Sequence, residues 1–215
     1  MAVLPVPLLL AAASVGILHM SAPDHWVTLI VLGRISKWSR PRLMGIGAIT
    51  AIGHAAFSVL LGFAVLGLGL IFSRGISVYL AEGIGLTMLV GGTLYGLTEL
   101  RSSNHKDYER ETSEKLSKGA GTMGNRFRYF AVLGAALSPD LSILPIFLLA
   151  VPIGLSLAFD TALVFAFASV LALLTFVLLG TAGLGKAFER VPPKYNDSLV
   201  GFVIAAVGIY VLIAS

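Results

Sequence analysis

The sequence predicts an all-α polytopic membrane protein with six transmembrane helices, from its composition, the length of its apolar blocks and the placement of its basic residues. Of 215 residues, 57% are hydrophobic and 12% are charged, which is about half the charged fraction of a typical soluble domain. The apolar blocks are about 20 residues long, the length that a helix needs to cross roughly 30 Å of hydrocarbon. Because backbone polar groups in lipid must be satisfied within the segment, such blocks form helices.

The six predicted spans are taken from the apolar blocks in chain order. No Lys or Arg precedes the first block and no small-residue cleavage site closes it, so we expect a retained first span and not a signal peptide. The spans are Pro5–Leu32, Leu43–Ile71, Ile76–Leu97, Tyr129–Leu155, Phe159–Leu184 and Asp197–Ala214.

The basic residues predict the orientation in the membrane. All of the 15 Lys and Arg residues except Arg74 fall on one side under this topology. Cytoplasmic loops carry an excess of such residues. We therefore expect a multi-pass protein of the cytoplasmic membrane with both termini outside. The net charge of +4 arises between apolar blocks, so it does not indicate a nucleic-acid partner; the expected surroundings are the lipid bilayer, with a homo-oligomer possible.

A polar connection divides the chain into two halves. Residues 99–128 form the expected cytoplasmic loop, between a first three-helix repeat at 1–98 and a second at 129–215. The segment Ser21-Ala-Pro-Asp24 recurs as Leu137-Ser-Pro-Asp140, 116 positions later (140 − 24). Three spans per half require opposite insertion of the halves. The sequence thus predicts a 3+3 inverted repeat with proline-interrupted first and fourth helices, an arrangement typical of transporters.

Three ionisable side chains lie close together inside the first apolar span. They are His19, Asp24 and His25, and at this depth each costs several kcal/mol unless it is paired, hydrated or bound to an ion. Pro23 breaks the helix, because it lacks an N–H and disfavours the α conformation at Ala22. On a continuous helix, the two histidines would point about 120° apart; a break removes that constraint. Two imidazoles and a carboxylate suit nickel, cobalt, zinc or iron, whereas a kink with hydrogen-bonded histidines is the structural alternative.

His54 in the second span is predicted to lie at the same depth. It stands about eleven residues from the inner end, which is roughly 16 Å along a helix and half of the membrane. We therefore expect His54 to complete the set of His19 and Asp24. The alternative is a histidine that only packs in the core.

The second half offers one further carboxylate. Ser138 can cap a helical segment that begins at Pro139, and Asp140 then lies at midplane depth facing the first-half residues. It is a candidate ligand, proton acceptor or partner of a transported cation, with a purely capping role as the alternative.

Two weaker features complete the pattern. The remaining histidine, His105, is expected to be solvated in the polar connection. The glycines of the third span are expected to allow close helix packing; they are Gly83, Gly85, Gly91, Gly92 and Gly96.

The element His19-x4-Asp24-His25 resembles the H-x4-D-H signature of the nickel/cobalt permease superfamily. The stretch from Gly16 to Gly62, with Gly53-His54, looks like the urease-accessory-type branch, and so do Leu137–Pro145 and Arg190-Val-Pro-Pro193. This resemblance implies that His19, Asp24, His25 and His54 handle the metal, with Asp140 contributing from the second half.

The sequence thus predicts a membrane permease for Ni²⁺ or Co²⁺, with the metal as substrate and no prosthetic group. An exporter of a small anionic or organic solute, and a membrane scaffold that delivers metal without transporting it, are the alternatives. We expect no enzyme activity, since no nucleophile–base pair stands out. The absence of cysteine excludes thiolate ligands and dithiol electron transfer.

Overall fold

The computed structural model describes residues 5–72, 80–101, 143–183 and 193–214, together with positions 114, 115, 118, 132 and 134. Nearly all of these residues are helical, and no strand occurs among them. The described residues form seven helices: α1 (Pro5–Ser21), α2 (Pro23–Ile35), α3 (Arg40–Phe72), α4 (Leu80–Arg101), α5 (Leu144–Ile153), α6 (Leu155–Thr181) and α7 (Pro193–Ala214).

Three stretches of helix are long and apolar enough to cross a membrane: Pro5–Ile35, Arg40–Ala64 and Leu155–Thr181. A shorter apolar segment, Ser198–Ile213, lies in α7. The described part of the chain is therefore all-α, with three candidate membrane spans. The sequence predicts six, because it also counts α4, α7 and the segment that contains α5. α4 runs to Arg101, so the helix continues past the predicted start of the polar connection at Glu99.

The connection between α2 and α3 is shorter than the sequence suggests. α3 begins at Arg40, so only four residues, 36–39, separate the two helices. Lys37 adopts a left-handed conformation with φ 52°, and the N–H of Trp38 donates to the carbonyl of Gly33 at 3.0 Å. A left-handed residue and a hydrogen bond of this kind commonly cap the C-terminus of a helix.

α6 is the central helix of the described bundle. α1 and α2 run in the same direction as α6: Gly16 approaches Phe165, and further along the chain Trp26 stacks on Phe176 with ring centroids 6.0 Å apart. α3 runs in the opposite direction, since Phe63, near its end, stacks with Phe159, near the start of α6, at 5.1 Å.

Buried apolar side chains form two clusters, one at each end of this bundle. The first apolar cluster includes Val15, Phe147 and Phe165, with Phe63 packed against it. The second apolar cluster includes Met20, Trp26, Ala51 and Leu173. α1, α3 and α6 each contribute to both clusters, so each helix passes from one to the other near its middle.

α4 and α7 pack against each other in antiparallel fashion along a seam of small residues. A Cβ on Gly92 would lie 2.6 Å from both the backbone N of Ala205 and the carbonyl O of Gly201. At Gly208, a Cβ would lie 2.5 Å from the backbone N of Leu89. Only hydrogen fits at such positions, which is the role of small residues between membrane helices. Among the third-span glycines, Gly85, Gly92 and Gly96 face this seam, whereas Gly83 and Gly91 have open space beside them.

Candidate metal centre

The helix break between α1 and α2 lies where the sequence predicts it. α1 ends at Ser21, and Pro23 is the first residue of α2. Ala22 between them is extended, with φ −63° and ψ 135°, the conformation that a following proline imposes. The chain therefore leaves one helix and enters the next without a loop.

Hydrogen bonds from side chains and from the backbone reach several carbonyls at the break. The hydroxyl of Ser21 donates to the carbonyl of Leu18 at 2.7 Å. The indole N–H of Trp26 donates to the carbonyl of Ser21 at 3.0 Å, and the N–H of His25 donates to the carbonyl of Ala22 at 3.3 Å. The imidazoles on either side of the break are therefore better candidate donors to a cation than the carbonyls of the break itself.

Three imidazole rings meet beside this break. His19 lies in the last turn of α1, His25 lies in the first turn of α2 and His54 lies in the middle of α3. The ring centroids of His19 and His25 are 4.6 Å apart, those of His19 and His54 are 5.4 Å apart, and those of His25 and His54 are 5.3 Å apart. The break is what turns His19 and His25 toward each other, since a continuous helix would separate them around its axis. We refer to these three residues as the histidine cluster.

The histidine cluster combines one buried side chain, that of His54, with two that are half-buried, those of His19 and His25. His54 is 1% exposed, and both of its ring nitrogens are buried atoms, as are the Nε2 atoms of His19 and His25. On α3, Thr50 and Ser58 lie one turn before and one turn after His54, and both are buried. Thr50 returns its hydroxyl to the carbonyl of Ile46 at 2.9 Å. A polar stripe therefore runs along the inward face of an otherwise apolar helix.

These polar residues lie between the two apolar clusters. On α1, Val15 belongs to the first cluster and Met20 to the second, and His19 falls between them. On α3, Ala51 belongs to the second cluster and Val59 packs against the first; His54 and Ser58 lie in that interval. On α6, Phe165 belongs to the first cluster and Ala172 to the second, and Ser169 stands between them, fully buried. We call His19, His54, Ser58 and Ser169 the polar layer.

The spacing of the three rings fits a shared metal ion. An ion held by ring nitrogens at about 2.0–2.1 Å in tetrahedral geometry places the ring centroids about 5 Å apart. All three observed separations are close to that value. The nitrogens themselves do not converge: among the described side chains, no group of three or more His, Cys, Asp or Glu is arranged to hold a metal ion. His19 and His54 lie nearly parallel, at 23°.

Rotation of the rings, with little movement of the helices, is what binding requires. The torsion that turns an imidazole about its Cβ–Cγ bond has broad, roughly two-fold preferences. Turning the ring changes the direction of its nitrogens while the centroid moves little. The backbone thus already sets the spacing, and the side chains of the histidine cluster supply the remaining adjustment.

The structure brings together three of the five predicted metal residues. Asp24 lies between Pro23 and His25 in the first turn of α2, but its side chain lies outside what the structure describes. The predicted second-half residues, Ser138, Pro139 and Asp140, also lie outside the described residues.

The buried hydroxyls of the polar layer were not singled out from the sequence. Ser58 and Ser169 lie in apolar runs, where a lone serine is a common and uninformative residue. Ser58 follows His54 by one turn, and that spacing is the only signal in the sequence that could have marked it. Ser169 has no such neighbour in its own segment.

Comparison of the chain with models of protein families, with curated proteins and with solved structures finds no match. The described part of the chain is all-α, and three of its helical stretches have the length and composition of membrane spans. Its candidate site is a cluster of three histidines contributed by α1, α2 and α3.

Proposed function

We propose that this chain is a permease that moves a divalent transition-metal cation, with Ni²⁺ and Co²⁺ as the first candidates, across the cytoplasmic membrane. In this proposal it has six spans in two inverted repeats, and both termini lie outside. The observation that carries it is the meeting of His19, His25 and His54, with ring centroids 4.6–5.4 Å apart.

The cost of the arrangement supports a role in binding. Polar side chains within a membrane span are expensive and are rarely kept without a partner or a task. Here three meet: His19 and His25 from the two sides of the helix break, and His54 from within α3. Apolar clusters lie at both ends of the bundle, so His19 and His54 stand between apolar layers and not at the ends of their bundle.

The ligand type supports a transition metal over other cations. Neutral imidazole suits nickel, zinc, copper and iron, whereas magnesium, calcium and manganese prefer oxygen donors. The histidine cluster offers nitrogen donors from all three rings. Asp24, the neighbour of His25 in the sequence, is the proposed carboxylate ligand, and Asp140 is its proposed partner from the second half.

Transport is tested with the full chain reconstituted in vesicles that enclose a metal-sensitive dye. We expect Ni²⁺ or Co²⁺ influx for the wild type, and loss of influx for His19→Ala with normal insertion. His105→Ala is the matched control, because it removes the fourth histidine of the chain, which lies far from the cluster in sequence; its influx should equal that of the wild type.

The other outcomes separate the alternatives. Binding of the metal without influx would favour a metal-delivery scaffold. An absence of metal binding, together with competition among small anions for export, would favour the solute exporter. Equal influx in the wild type and in His19→Ala would contradict a role for the histidine cluster.

A further inference from the structure

The buried hydroxyl of Ser169 differs from the threonine hydroxyls of the same helix, α6. Thr161, Thr175 and Thr181 of α6 each donate to a backbone carbonyl three or four residues earlier, at 2.7–2.8 Å. Ser169 does not: it is fully buried, and its Oγ has no hydrogen-bond partner within the described residues. A serine inside a helix normally returns its hydroxyl to the preceding turn when it has no other task.

The hydroxyl of Ser169 lies against the turn of α1 that precedes His19. A Cβ built on Gly16 would lie 2.7 Å from that Oγ and 3.0 Å from the carbonyl O of Phe165. Gly16 therefore leaves the space into which the hydroxyl projects. Any larger residue at position 16 would displace it.

The side chain of His19 is expected to lie over the same turn. Long side chains on a helix point back over the residues three and four positions earlier, and Gly16 is three positions before His19. Ser169 also lies at the same level of the bundle as the histidine cluster, between the two apolar clusters. The approach to Gly16 and the level between the two apolar clusters therefore both place this hydroxyl on the α1 side of the histidine cluster.

We propose that Ser169 is a positioning residue of the metal centre: when a cation is bound, its hydroxyl takes up a hydrogen bond with one ring nitrogen of His19, so that the other nitrogen is presented to the cation. This inference rests on the proposed metal-binding function. Histidine ligands commonly bond through their second ring nitrogen to an outer partner, which fixes the orientation of the ring. Gly16 serves the same purpose, because it lets the hydroxyl approach.

The first test is a titration of the purified full chain with Co²⁺, followed by its visible absorption bands and by calorimetry. Ser169→Ala is expected to weaken Co²⁺ affinity about 10–100-fold, the usual cost of losing an outer partner of a ligand, and to change the ligand-field bands. Its melting temperature should not fall, since the variant removes a buried polar atom that lacks a partner. Thr161→Ala is the matched control, because it removes a buried hydroxyl that is already bonded to the backbone; it should leave Co²⁺ affinity unchanged.

A double variant separates positioning from packing. Gly16→Ala should lower both the melting temperature and the affinity, because the new Cβ meets Ser169 Oγ. Gly16→Ala combined with Ser169→Ala removes the Oγ from that contact, so the melting temperature should recover in part. The affinity should stay as low as in Ser169→Ala alone. Recovery of affinity together with the melting temperature would show that Ser169 only packs, and would overturn the inference.

The two proposals fail in different ways. If the wild type binds Co²⁺ and Ser169→Ala binds it equally well, with the same absorption bands, the inference is wrong and the proposed function stands. If the wild type does not bind Co²⁺ or Ni²⁺, both are wrong.

Discussion

The α4–α7 seam and the polar layer both bring helices close together, but they do so with opposite chemistry. In the seam, glycines and an alanine let backbones touch. In the polar layer, Gly16 makes room for the Ser169 hydroxyl, and the imidazoles of His19 and His54 lie beside that of His25. The first contact gains van der Waals packing, which is what holds membrane helices together. The second buries polar groups, which costs free energy. This difference fits a role in stability for the seam and the proposed role in binding for the polar layer.

Replacement of His54 should produce the largest loss of function without loss of stability. His54→Leu replaces a polar side chain with an apolar one of similar size, at a position that is 1% exposed. We expect it to abolish Ni²⁺ or Co²⁺ binding, while the melting temperature stays level or rises, since a buried polar residue has been removed. Calorimetry and thermal unfolding of the purified chain measure the two effects. A severe drop in melting temperature with binding retained would reverse the roles that we assign to the two regions.

Replacement of a seam glycine should have the opposite effect. Gly92→Ala adds a Cβ only 2.6 Å from backbone atoms of α7, where no flexible side chain can move aside. Overpacking of this kind costs about 1–3 kcal/mol, so the melting temperature should fall clearly while the folded fraction keeps its metal affinity. Gly91→Ala is the control, because Gly91 has open space beside it and alanine favours the helix. Equal melting temperatures for Gly92→Ala and Gly91→Ala would contradict the close approach of the α4 and α7 backbones at Gly92.

Removal of the helix break should have an intermediate effect on binding. Pro23→Ala restores a backbone N–H and permits a continuous helix through Ala22, which would turn His19 and His25 apart. We expect metal affinity to fall about tenfold, equivalent to roughly 1.4 kcal/mol, with insertion unchanged. Pro41→Ala is a suitable control, since Pro41 lies in the first turn of α3, where proline is tolerated. If Pro23→Ala binds metal like the wild type, the break is not needed to form the cluster.

The smallest expected effect concerns the bond that spans the break. Trp26→Phe removes the indole N–H that donates to the carbonyl of Ser21 while keeping an aromatic ring against Phe176. A single hydrogen bond contributes about 0.5–1.5 kcal/mol, so we expect a small fall in melting temperature and a slight loss of affinity. Thermal unfolding with and without Ni²⁺ measures both. A larger effect on affinity than that of Pro23→Ala would mean that the bond, and not the proline, sets the geometry.

The sequence predicted the features that follow from local chemistry. Apolar block length predicts the helices that span Pro5–Ile35 and Leu155–Thr181, and the missing N–H of Pro23 predicts the break. It also singled out His19, His25 and His54, because ionisable residues in apolar blocks are conspicuous.

The sequence could not reveal what depends on packing between distant segments. Ser169 is distinguished by its contact with Gly16 of α1. Nothing within its own apolar run sets it apart. In the same way, Gly91 and Gly92 are adjacent in the sequence, yet only Gly92 faces α7. The expectation that both allow close packing was therefore wrong for Gly91. The helix that packs against it decides which face of a helix is buried. That neighbouring helix cannot be identified from the local sequence.

The central claim is that three imidazoles share one transition-metal ion, and X-ray absorption spectroscopy of the purified chain loaded with Ni²⁺ tests it most directly. We predict a nearest shell with scattering from three imidazole rings, reduced to two in His25→Ala and undetectable in His54→Leu, which should not retain the metal. A shell made only of oxygen or solvent ligands, with the same spectrum in the wild type and in His54→Leu, would contradict the account.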